Sequence, residues 1–366
     1  MGTSAMDGHQ PAAAKPGGAI TRFYTPSAWI EGRAEDQLQH VSTWQGVRKI
    51  AAFPDLHPGK YGPVGCAILS DRVYPHLIGN DIGCGMSLFQ LDLPVRKLKP
   101  DKAVRRIRAL GSPLTTPPRA RLEEAGEPPD LFAEALGTIG GGNHFCEVQS
   151  LTDSATLDPA LTYLLVHSGS RGLGNAVLGN QGFQGLDDPA AYVHAHDQAV
   201  RWATLNRQII AERAAEALRA DLRLITDAPH NMLERTPDGW LHRKGAAIAR
   251  DLVPVAGSRA TSSFLVRPLG TPEALTSLSH GAGRRYDRSS MHGRVRAKKS
   301  DIAAMERNPF GGHLVCEDKD LLIEESPLAY KSAESVVADL ETTGVATRVA
   351  TLNPLLTFKK TREATR

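Results

Sequence analysis

Apolar and polar positions along the chain form short runs that glycine and proline interrupt, a pattern typical of strands joined by tight turns. The pattern is densest over residues 27–95, which we interpret as short strands and turns. The strands that it predicts across the whole chain are 47–53, 62–70, 87–93, 161–170, 262–269 and 344–352.

Helical periodicity is strongest over residues 189–222, where Asp187 or Asp188 can cap the helix and Pro189 suits its first turn. Shorter helices are predicted at 97–110 and 330–340, and the proline-rich stretch 112–130 is predicted to be a loop. Strands and helices do not alternate regularly, so the order of elements predicts an α+β fold rather than a doubly wound sheet.

Composition is that of an ordinary globular enzyme, with 41% hydrophobic and 23% charged residues. The sequence has no apolar stretch long enough to span a membrane and no secretory signal at its N-terminus. Its four cysteines are scattered and fit no disulfide framework. We therefore expect a cytoplasmic protein with no membrane partner.

Charge alone does not identify a partner, because the net charge is only +3. The local pattern is more informative, since residues 284–299 hold seven Arg and Lys residues against one Asp. Two interpretations stay open for this stretch: a solvated loop, or a strip that contacts a phosphate backbone.

The motif GNDIGCGM at 79–86 places Asp81 and Cys84 among several glycines. No second cysteine lies close enough for a zinc knuckle. Four histidines also stand in distinctive, mostly glycine-rich settings: His144, His167, His230 and His280. A mixed set of carboxylate, thiolate and imidazole suits Mn, Fe or Zn, and a thiolate can bridge two ions. Ligands from distant segments favour a catalytic metal site over a structural one.

Two glycine-rich loops, GGGNH at 140–144 and HSGSRGLG at 167–174, have the composition of anion cradles. Arg171 could add a bidentate contact to a phosphate. The chain has no Walker A motif, so a bound nucleotide would be held in another way. The alternative is that both loops are only tight turns between strands.

Seven ordered motifs resemble those of the RtcB-type RNA ligases. They are PDLHPGKYGPVG (54–65), GNDIGCGM (79–86), GGGNHFCEV (140–148), HSGSRGLG (167–174), PHNM (229–232), HRKGA (242–246) and HGAGR (280–284). The closing stretches ESPLAYK (325–331) and NPLLTFKK (353–360) are also similar. WIEG at 29–32 and the short chain resemble the subgroup that is encoded beside a release-factor-H protein.

The resemblance implies a single RtcB-like catalytic domain at 27–360, with mixed sheets and helices around a central dinuclear metal cleft. A flexible N-terminal tail (1–26) and a C-terminal tail (361–366) complete the expected organisation. The implied reaction joins an RNA 3′-phosphate or 2′,3′-cyclic phosphate to a 5′-hydroxyl, using GTP and two Mn²⁺ ions through a histidine–GMP intermediate.

The resemblance also implies the role of each site residue. His280 is the expected nucleophile, and the expected metal ligands are Asp81, Cys84 (as the bridge), His144, His167 and His230. The expected nucleotide contacts are Asn143, Glu147, Ser258, Ser263, Ala282, Gly283, Tyr330 and Lys359. Arg171 and Arg284 are expected on RNA phosphates, whereas Asp55 and His57 receive no firm role.

The chain departs from the family pattern at GSRATSSF (257–264), where Arg259, Ala260 and Phe264 replace methionine, glycine and tyrosine. Arg259 could favour a phosphate-rich substrate or could pack outward.

The expected substrate of the subgroup is cleaved small-subunit ribosomal RNA, with a functional link to a release-factor-H-like protein. Three alternatives remain: a tRNA-directed ligase, a metal phosphoesterase that opens cyclic phosphates without joining, and a non-catalytic RNA- or ribosome-binding module.

Overall fold

The computed structural model of the protein describes residues 17–154, 156–179, 181–295 and 305–361. The strands within these ranges are β1 (Ala19–Arg22), β2 (Val47–His57), β3 (Val64–Ser70), β4 (Gly85–Pro94), β5 (Phe145–Thr152), β6 (Leu161–Ser168), β7 (Leu222–Pro229), β8 (Asn231–Thr236), β9 (Gly239–Lys244), β10 (Ala246–Ile248), β11 (Val253–Val255), β12 (Ser263–Pro268), β13 (Ser277–Ser279), β14 (His313–Cys316) and β15 (Ala346–Lys360). The helices are α1 (Gly32–Ser42), α2 (Pro100–Ile107), α3 (Arg119–Glu124), α4 (Gly172–Leu178), α5 (Ala190–Leu218), α6 (Met291–Arg294), α7 (Lys319–Glu324) and α8 (Ala333–Thr342).

The strands of the described ranges form a large sheet, a five-stranded sheet and a two-stranded pair. The large sheet has the order β11-β12-β15-β5-β6-β4-β7, with β14 parallel to the end of β15. The second sheet has the order β1-β2-β3-β9-β8, and β10 pairs with β13. Most pairs are antiparallel, and the helices lie outside the sheets. The predicted α+β class with mixed sheets is therefore confirmed.

Helix α5 is the long helix that periodicity predicts at 189–222, and it packs on the large sheet. Its apolar face, including Ile210 and Ala214, is buried against Leu164 and Val166 of β6 and Phe89 of β4. Burial of such side chains is the main favourable contribution to folding. The sheet is thereby held as one rigid support for the residues at its edge.

Three local predictions are wrong. Helix α1 lies inside the stretch 27–95, which we predicted to hold only strands and turns, and it buries Ala34, Leu38 and Val41. Their spacing is helical, so the signal was present in the sequence.

Strand β1 lies within the predicted tail 1–26, because it pairs in parallel with β2, a contact that the local sequence does not reveal. Helix α3 lies inside the predicted loop 112–130, where Leu122 gives it one buried anchor.

The last strand, β15, extends well past the predicted end at residue 352. Pro354 interrupts the sequence pattern, but in the structure the register only shifts between Pro354 and Leu356 and the strand continues. Both predicted tails fall partly outside the described residues, as do Arg296, Lys298 and Lys299 of the basic stretch 284–299. No helix in the described ranges combines the length and apolar character needed to cross a membrane.

Candidate metal centre and active-site cleft

A cleft of about 580 Å³ opens between the two larger sheets. One side of it is the edge of the large sheet at which β4 and β5 begin and β6 and β7 end. These neighbouring strands are antiparallel, so the start of one lies beside the end of the next. Residues just before β4 and β5, and just after or at the end of β6 and β7, must therefore meet at this edge.

Five side chains meet at that edge, and we call them the metal wall: Asp81, Cys84, His144, His167 and His230. The Cys84 Sγ lies 3.3 Å from His144 Nε2 and 3.2 Å from His167 Nε2. His144 Nε2 lies 2.9 Å from Asp81 Oδ2, and the Nε2 atoms of His167 and His230 are 3.3 Å apart.

The metal wall contains two groups of three donor atoms that share one sulfur. Cys84 forms one group with His167 and His230, and the other with Asp81 and His144. Within each group all donor atoms lie within 4.8 Å of one another. A thiolate is the ligand of this set that can bridge two ions, so the two groups could hold one ion each with Cys84 between them.

Burial controls the protonation of the metal wall. Desolvation lowers the pKa of both His167 and His230 well below its usual value, so these imidazoles are neutral and can act as ligands. Desolvation and the Asp81 carboxylate raise the pKa of the Cys84 thiol. Burial acts to raise the pKa of Asp81, but the neighbouring His144 lowers it to about 2.

The glycines of the GNDIGCGM motif have a steric purpose. Gly83 has a φ of +70°, and an added Cβ would lie 2.8 Å from the Cβ of Ala203 on α5. The fully buried Arg207, also on α5, donates to the carbonyl oxygens of Gly83 at 2.7 Å and Ser168 at 3.0 Å. Helix α5 thus fixes the loop that carries Asp81 and Cys84 and the strand end that carries His167.

His280 follows β13 and lies beside the metal wall, its ring centroid 4.4 Å from that of His230. Its Nδ1 lies 2.7 Å from Asp55 Oδ2 and 2.7 Å from the carbonyl oxygen of Gly245. Two acceptors at Nδ1 require the proton to be on that nitrogen, which leaves the lone pair on Nε2. This is the tautomer that a histidine nucleophile needs.

Asp55, for which the resemblance implies no firm role, is the carboxylate that contacts His280. It is fully buried, and it also accepts hydrogen bonds from Ser279 Oγ at 2.8 Å and from the His280 backbone N–H at 3.3 Å. Its position in the PDLHPG motif was the available signal. His57, from the same motif, lines the cleft, and burial lowers its pKa to about 4.

The predicted nucleotide contacts line the same cleft, with one exception. Asn143, Glu147, Ser258, Ala282, Gly283, Tyr330 and Lys359 line the cavity. Ser263 instead lies buried behind the wall, where its Oγ accepts the Gly257 N–H at 3.1 Å.

Glu147 is a buried carboxyl group within this part of the cleft. It accepts hydrogen bonds from Gln149 Nε2 at 2.7 Å and Thr357 Oγ1 at 2.5 Å. Desolvation raises its pKa to about 7, although both hydrogen bonds favour the ionised form. The group therefore changes protonation state close to neutral pH.

A second cluster, which we call the charged wall, consists of Arg284, Arg288, Glu325, Tyr330 and Lys359. The buried Glu325 accepts from Arg284 at 3.1 Å, from Arg288 at 3.3 Å and from the Tyr330 hydroxyl, and Lys359 Nζ lies 4.0 Å away. Burial acts to raise the pKa of Glu325, but Lys359 and Arg284 lower it overall. Arg284 also donates to the Glu324 carbonyl oxygen at 2.8 Å, so its guanidinium is already engaged.

The other two arginines singled out in the sequence have contrasting positions. Arg171 lines the cleft, and its buried Nε has no hydrogen-bond partner among the described residues. Arg259 donates to the carbonyl oxygens of Glu325 at 2.6 Å and Leu322 at 3.2 Å, and so caps the C-terminal end of α7. The expectation that Arg259 packs outward is wrong, because its side chain points inward and lines the cleft. Its effect on the choice of substrate stays a prediction. Phe264 is buried in the core.

Fold and cleft together define an α+β protein in which a buried cluster of His, Cys and Asp side chains that could hold metal ions lies beside a histidine held by a carboxylate. The family model described as "tRNA-splicing ligase RtcB" matches residues 37–115, 129–181 and 184–360.

Named relatives agree with this match. The "RNA-splicing ligase RtcB2" of Escherichia coli is 40% identical over 93% of this chain and 96% of its own length. The "RNA-splicing ligase RtcB1" of the same organism is 28% identical over 87% of this chain and 93% of its own length. The "tRNA-splicing ligase RtcB" of Archaeoglobus fulgidus is 25% identical over 94% of this chain and 95% of its own length. The chain belongs to the RtcB family, and it is an enzyme of the ligase class.

Proposed function

We propose that this enzyme is an RNA ligase that joins a 3′-phosphate or 2′,3′-cyclic phosphate end to a 5′-hydroxyl end, using GTP and two Mn²⁺ ions. One observation carries the proposal: a histidine with its free Nε2 lies directly beside two three-donor groups that share a cysteine. Family membership supports the RNA ligase class. The metal, the nucleotide and the covalent intermediate are our inference.

The residues of the metal wall fit a pair of borderline or hard divalent ions. Their donor atoms converge, and the buried His230 Nδ1 has no hydrogen-bond partner in the described part of the chain. Asp81 and His144 would hold one ion, His167 and His230 the other, and Cys84 would be shared. Bound metal would polarise the phosphates and neutralise the charge that develops during transfer.

His280 provides the nucleophile in this proposal. Its Nε2 attacks the α-phosphorus of GTP, a P–N bond forms, and pyrophosphate leaves. Asp55 holds the proton on Nδ1 and stabilises the positive charge that the ring acquires. The GMP group then passes to the RNA 3′-phosphate, which frees His280, and the 5′-hydroxyl attacks that phosphorus as GMP leaves.

The nucleotide would lie in the cleft beside His280. We propose contacts from residues that line the cavity: Asn143, Glu147, Ser258, Ala282, Gly283, Tyr330 and Lys359. Ser263 would act only indirectly, by accepting the Gly257 N–H. Gly283 lines the cleft with a φ of +70°, and a Cβ there would collide with the Asp55 carbonyl oxygen, so packing against Asp55 requires glycine at this position.

For the RNA phosphates we propose Arg171 first, because its buried Nε lacks a partner among the described residues. Arg284 would need to exchange its bond with Glu325 for one with a phosphate.

For the natural substrate we propose cleaved small-subunit ribosomal RNA, with a release-factor-H-like protein acting on the stalled ribosome. Greater identity to the relative named RtcB2 (40%) than to the one named RtcB1 (28%) favours a distinct subgroup. A cytoplasmic location is in keeping with four cysteines that are all free. Sealing of cleaved tRNA as fast as cleaved ribosomal RNA would contradict the substrate assignment.

Covalent labelling tests the core of the proposal. The protein is incubated with Mn²⁺ and α-phosphate-labelled GTP, beside His280→Ala and the half-exposed control His292→Ala. Acid-labile, alkali-stable label on the wild type and the control, but not on His280→Ala, is the expected result. Absence of label from a metal-loaded wild type would favour a phosphoesterase that opens cyclic phosphates without joining.

A further inference from the structure

Three aromatic rings form a cluster outside the metal and charged walls, and we call it the aromatic platform: Tyr61, His76 and Phe183. His76 is buried at its base, Tyr61 is partly exposed and Phe183 is exposed. The Phe183 ring stacks on His76 with centroids 4.1 Å apart and an interplanar angle of 22°. Tyr61 lies 4.9 Å from His76 and 5.7 Å from Phe183. Phe183 remains 59% exposed despite these contacts. A phenyl ring held on one face and open to solvent on the other is the geometry of a stacking surface.

The platform is fixed by contacts on each segment that contributes to it. The loop that carries Tyr61 is tied down by Gln37, which exchanges two hydrogen bonds with Gly59, at 2.8 and 3.1 Å. The segment after Phe183 is anchored by the Leu186 N–H on the Val73 carbonyl at 2.9 Å. Arg72 donates to the carbonyl oxygen of Gly185 at 2.6 Å. Because both segments are anchored, Phe183 is held on the surface rather than buried.

Two lysines lie beside the rings. The Nζ atoms of Lys60 and Lys244 are 4.9 and 5.6 Å from the Tyr61 ring centroid. Lys244 Nζ also donates to the His76 carbonyl oxygen at 3.2 Å, which holds it in place. Aromatic rings next to cations are the combination that binds unpaired nucleotides, since bases stack and phosphates pair with the ammonium groups.

The platform continues directly into the catalytic cleft. The loop bearing Tyr61 is flanked by His57 and Val64, which both line the cavity. The segment bearing His76 runs on to the cavity residue Asn80 and then to Asp81 of the metal wall. Lys244 precedes Gly245, whose carbonyl oxygen contacts His280 Nδ1. A strand whose end lies at His280 would therefore pass over this surface.

We infer that the aromatic platform stacks an unpaired base of the RNA strand whose end enters the cleft. This inference rests on the proposed RNA ligase function and adds a binding subsite to it. Stacking needs only the π-face of a base, so the subsite would hold any sequence while Lys60 contacts the adjoining phosphate.

Base-specific fluorescence tests the inference without relying on catalysis. Single-stranded RNA oligonucleotides carry 2-aminopurine at one position each, counted from a 3′-phosphate in one series and from a 5′-hydroxyl in the other. They are titrated with the Mn²⁺-loaded protein in the absence of GTP. We expect quenching at one position near one end, and the two series identify which strand is held.

The variants provide the decisive comparison. Phe183→Ala should abolish the quenching and weaken RNA binding roughly 5- to 100-fold, whereas Phe183→Trp should retain both. Phe310→Ala is the matched control, since Phe310 is 42% exposed and lines neither the cleft nor the platform. Labelling of His280 by GTP should be unchanged in all of these proteins, because guanylylation needs no RNA.

The inference is overturned if quenching and affinity in Phe183→Ala and Tyr61→Ala equal those of the wild type. A larger loss for duplex RNA than for single-stranded RNA would also overturn it, because paired bases offer no free face. Failure of the wild type to label with GTP would instead count against the proposed function, and the RNA titration would still decide the role of the platform.

Discussion

The metal wall and the charged wall line one cleft and are built in opposite ways. On the metal wall, burial keeps His167 and His230 neutral and keeps the Cys84 thiol protonated. On the charged wall, one buried carboxylate, Glu325, pairs with three cations that the protein itself provides.

The difference indicates which wall needs a bound ligand to satisfy its buried polar groups. Buried donor atoms without a cation are costly, and a metal ion with proton release from the thiol relieves that cost. Glu325 already engages the cations of the charged wall, so an incoming phosphate must compete with it for them. We therefore propose the metal wall as the site for ions, and we expect Glu325 to limit how tightly anions bind on the charged wall.

Cys84→Ser should have the largest effect, because it weakens both ion sites at once. We expect sealing to fall by about 10³-fold or more, since a bound metal supplies several kcal/mol of transition-state stabilisation. Mn²⁺ content by mass spectrometry should fall with it. Cys316→Ser, at a buried cysteine outside the cleft, is the control. Unchanged Mn²⁺ stoichiometry in Cys84→Ser would rule out the bridging role.

Asp55→Asn should act on His280 while leaving the metal wall intact. The carboxylate fixes the tautomer of His280, and the Gly245 carbonyl remains as a second acceptor, so we expect guanylylation to slow roughly 10- to 100-fold. Mn²⁺ content should not change. Asp339→Asn removes another buried carboxylate and should label normally. Normal labelling of Asp55→Asn would show that Asp55 only supports the fold.

Glu147→Gln tests whether burial also controls protonation outside the metal wall. Glu147 is a proposed nucleotide contact, but its carboxyl group is desolvated like the residues of the metal wall. Its pKa is about 7 in the folded protein against 4.5 for an ordinary Glu. The stability contributed by the neutral acid is complete below pH 4.5 and is lost as pH rises through 7. Relative to wild type, the variant should therefore gain up to roughly 3 kcal/mol of unfolding free energy between pH 4.5 and 8.

Urea unfolding at both pH values measures this difference. Glu212→Gln is the control of opposite sign: burial opposes ionisation of Glu212, but Arg121 and Gln208 lower its pKa overall. That variant should lose relative stability as pH rises, because the wild-type carboxylate is favoured in the folded state above its unfolded pKa. Parallel stability curves for Glu147→Gln and wild type would contradict a raised pKa at Glu147.

Glu325→Gln should have the smallest effect on function. It removes the carboxylate that pairs with the cations of the charged wall. With the carboxylate gone, Arg284, Arg288 and Lys359 are free to meet phosphates, so RNA should bind about tenfold more tightly, with a salt dependence steeper by about one. Fluorescence anisotropy across a salt series measures both. Glu324→Gln, at the neighbouring and more exposed carboxylate, should change neither. An unaltered salt slope in Glu325→Gln would mean that these cations do not reach the RNA.

Much of the site could be predicted from the sequence, because its donor groups lie in short motifs with unusual glycine and histidine content. Asp81, Cys84, His144, His167 and His230 were all identified this way, and the structure brings all five together at one sheet edge. The long helix α5 was also predicted, since its periodicity is local. Six of the fifteen strands in the described ranges were predicted as well: β2, β3, β4, β6, β12 and β15.

The remainder depended on contacts between residues far apart in the chain. Strand β1 exists because β2 offers it a parallel partner, and Pro354 is tolerated in β15 because the register shifts there. The inward position of Arg259 depends on the end of α7, which lies more than sixty residues later in the chain.

The amino-acid sequence by itself determined which chemical groups this protein brings to its cleft: a carboxylate, a thiol, four imidazoles and a set of cations. The family resemblance also implied that Cys84 is shared, and the structure places it in both ligand groups. Only the tertiary structure decided that Asp55 holds His280 and that Tyr61, His76 and Phe183 form one surface. The physical reason is that the chemical type of each side chain is set by its own position in the sequence. Distances and burial, by contrast, arise from antiparallel pairing and from packing across the whole chain.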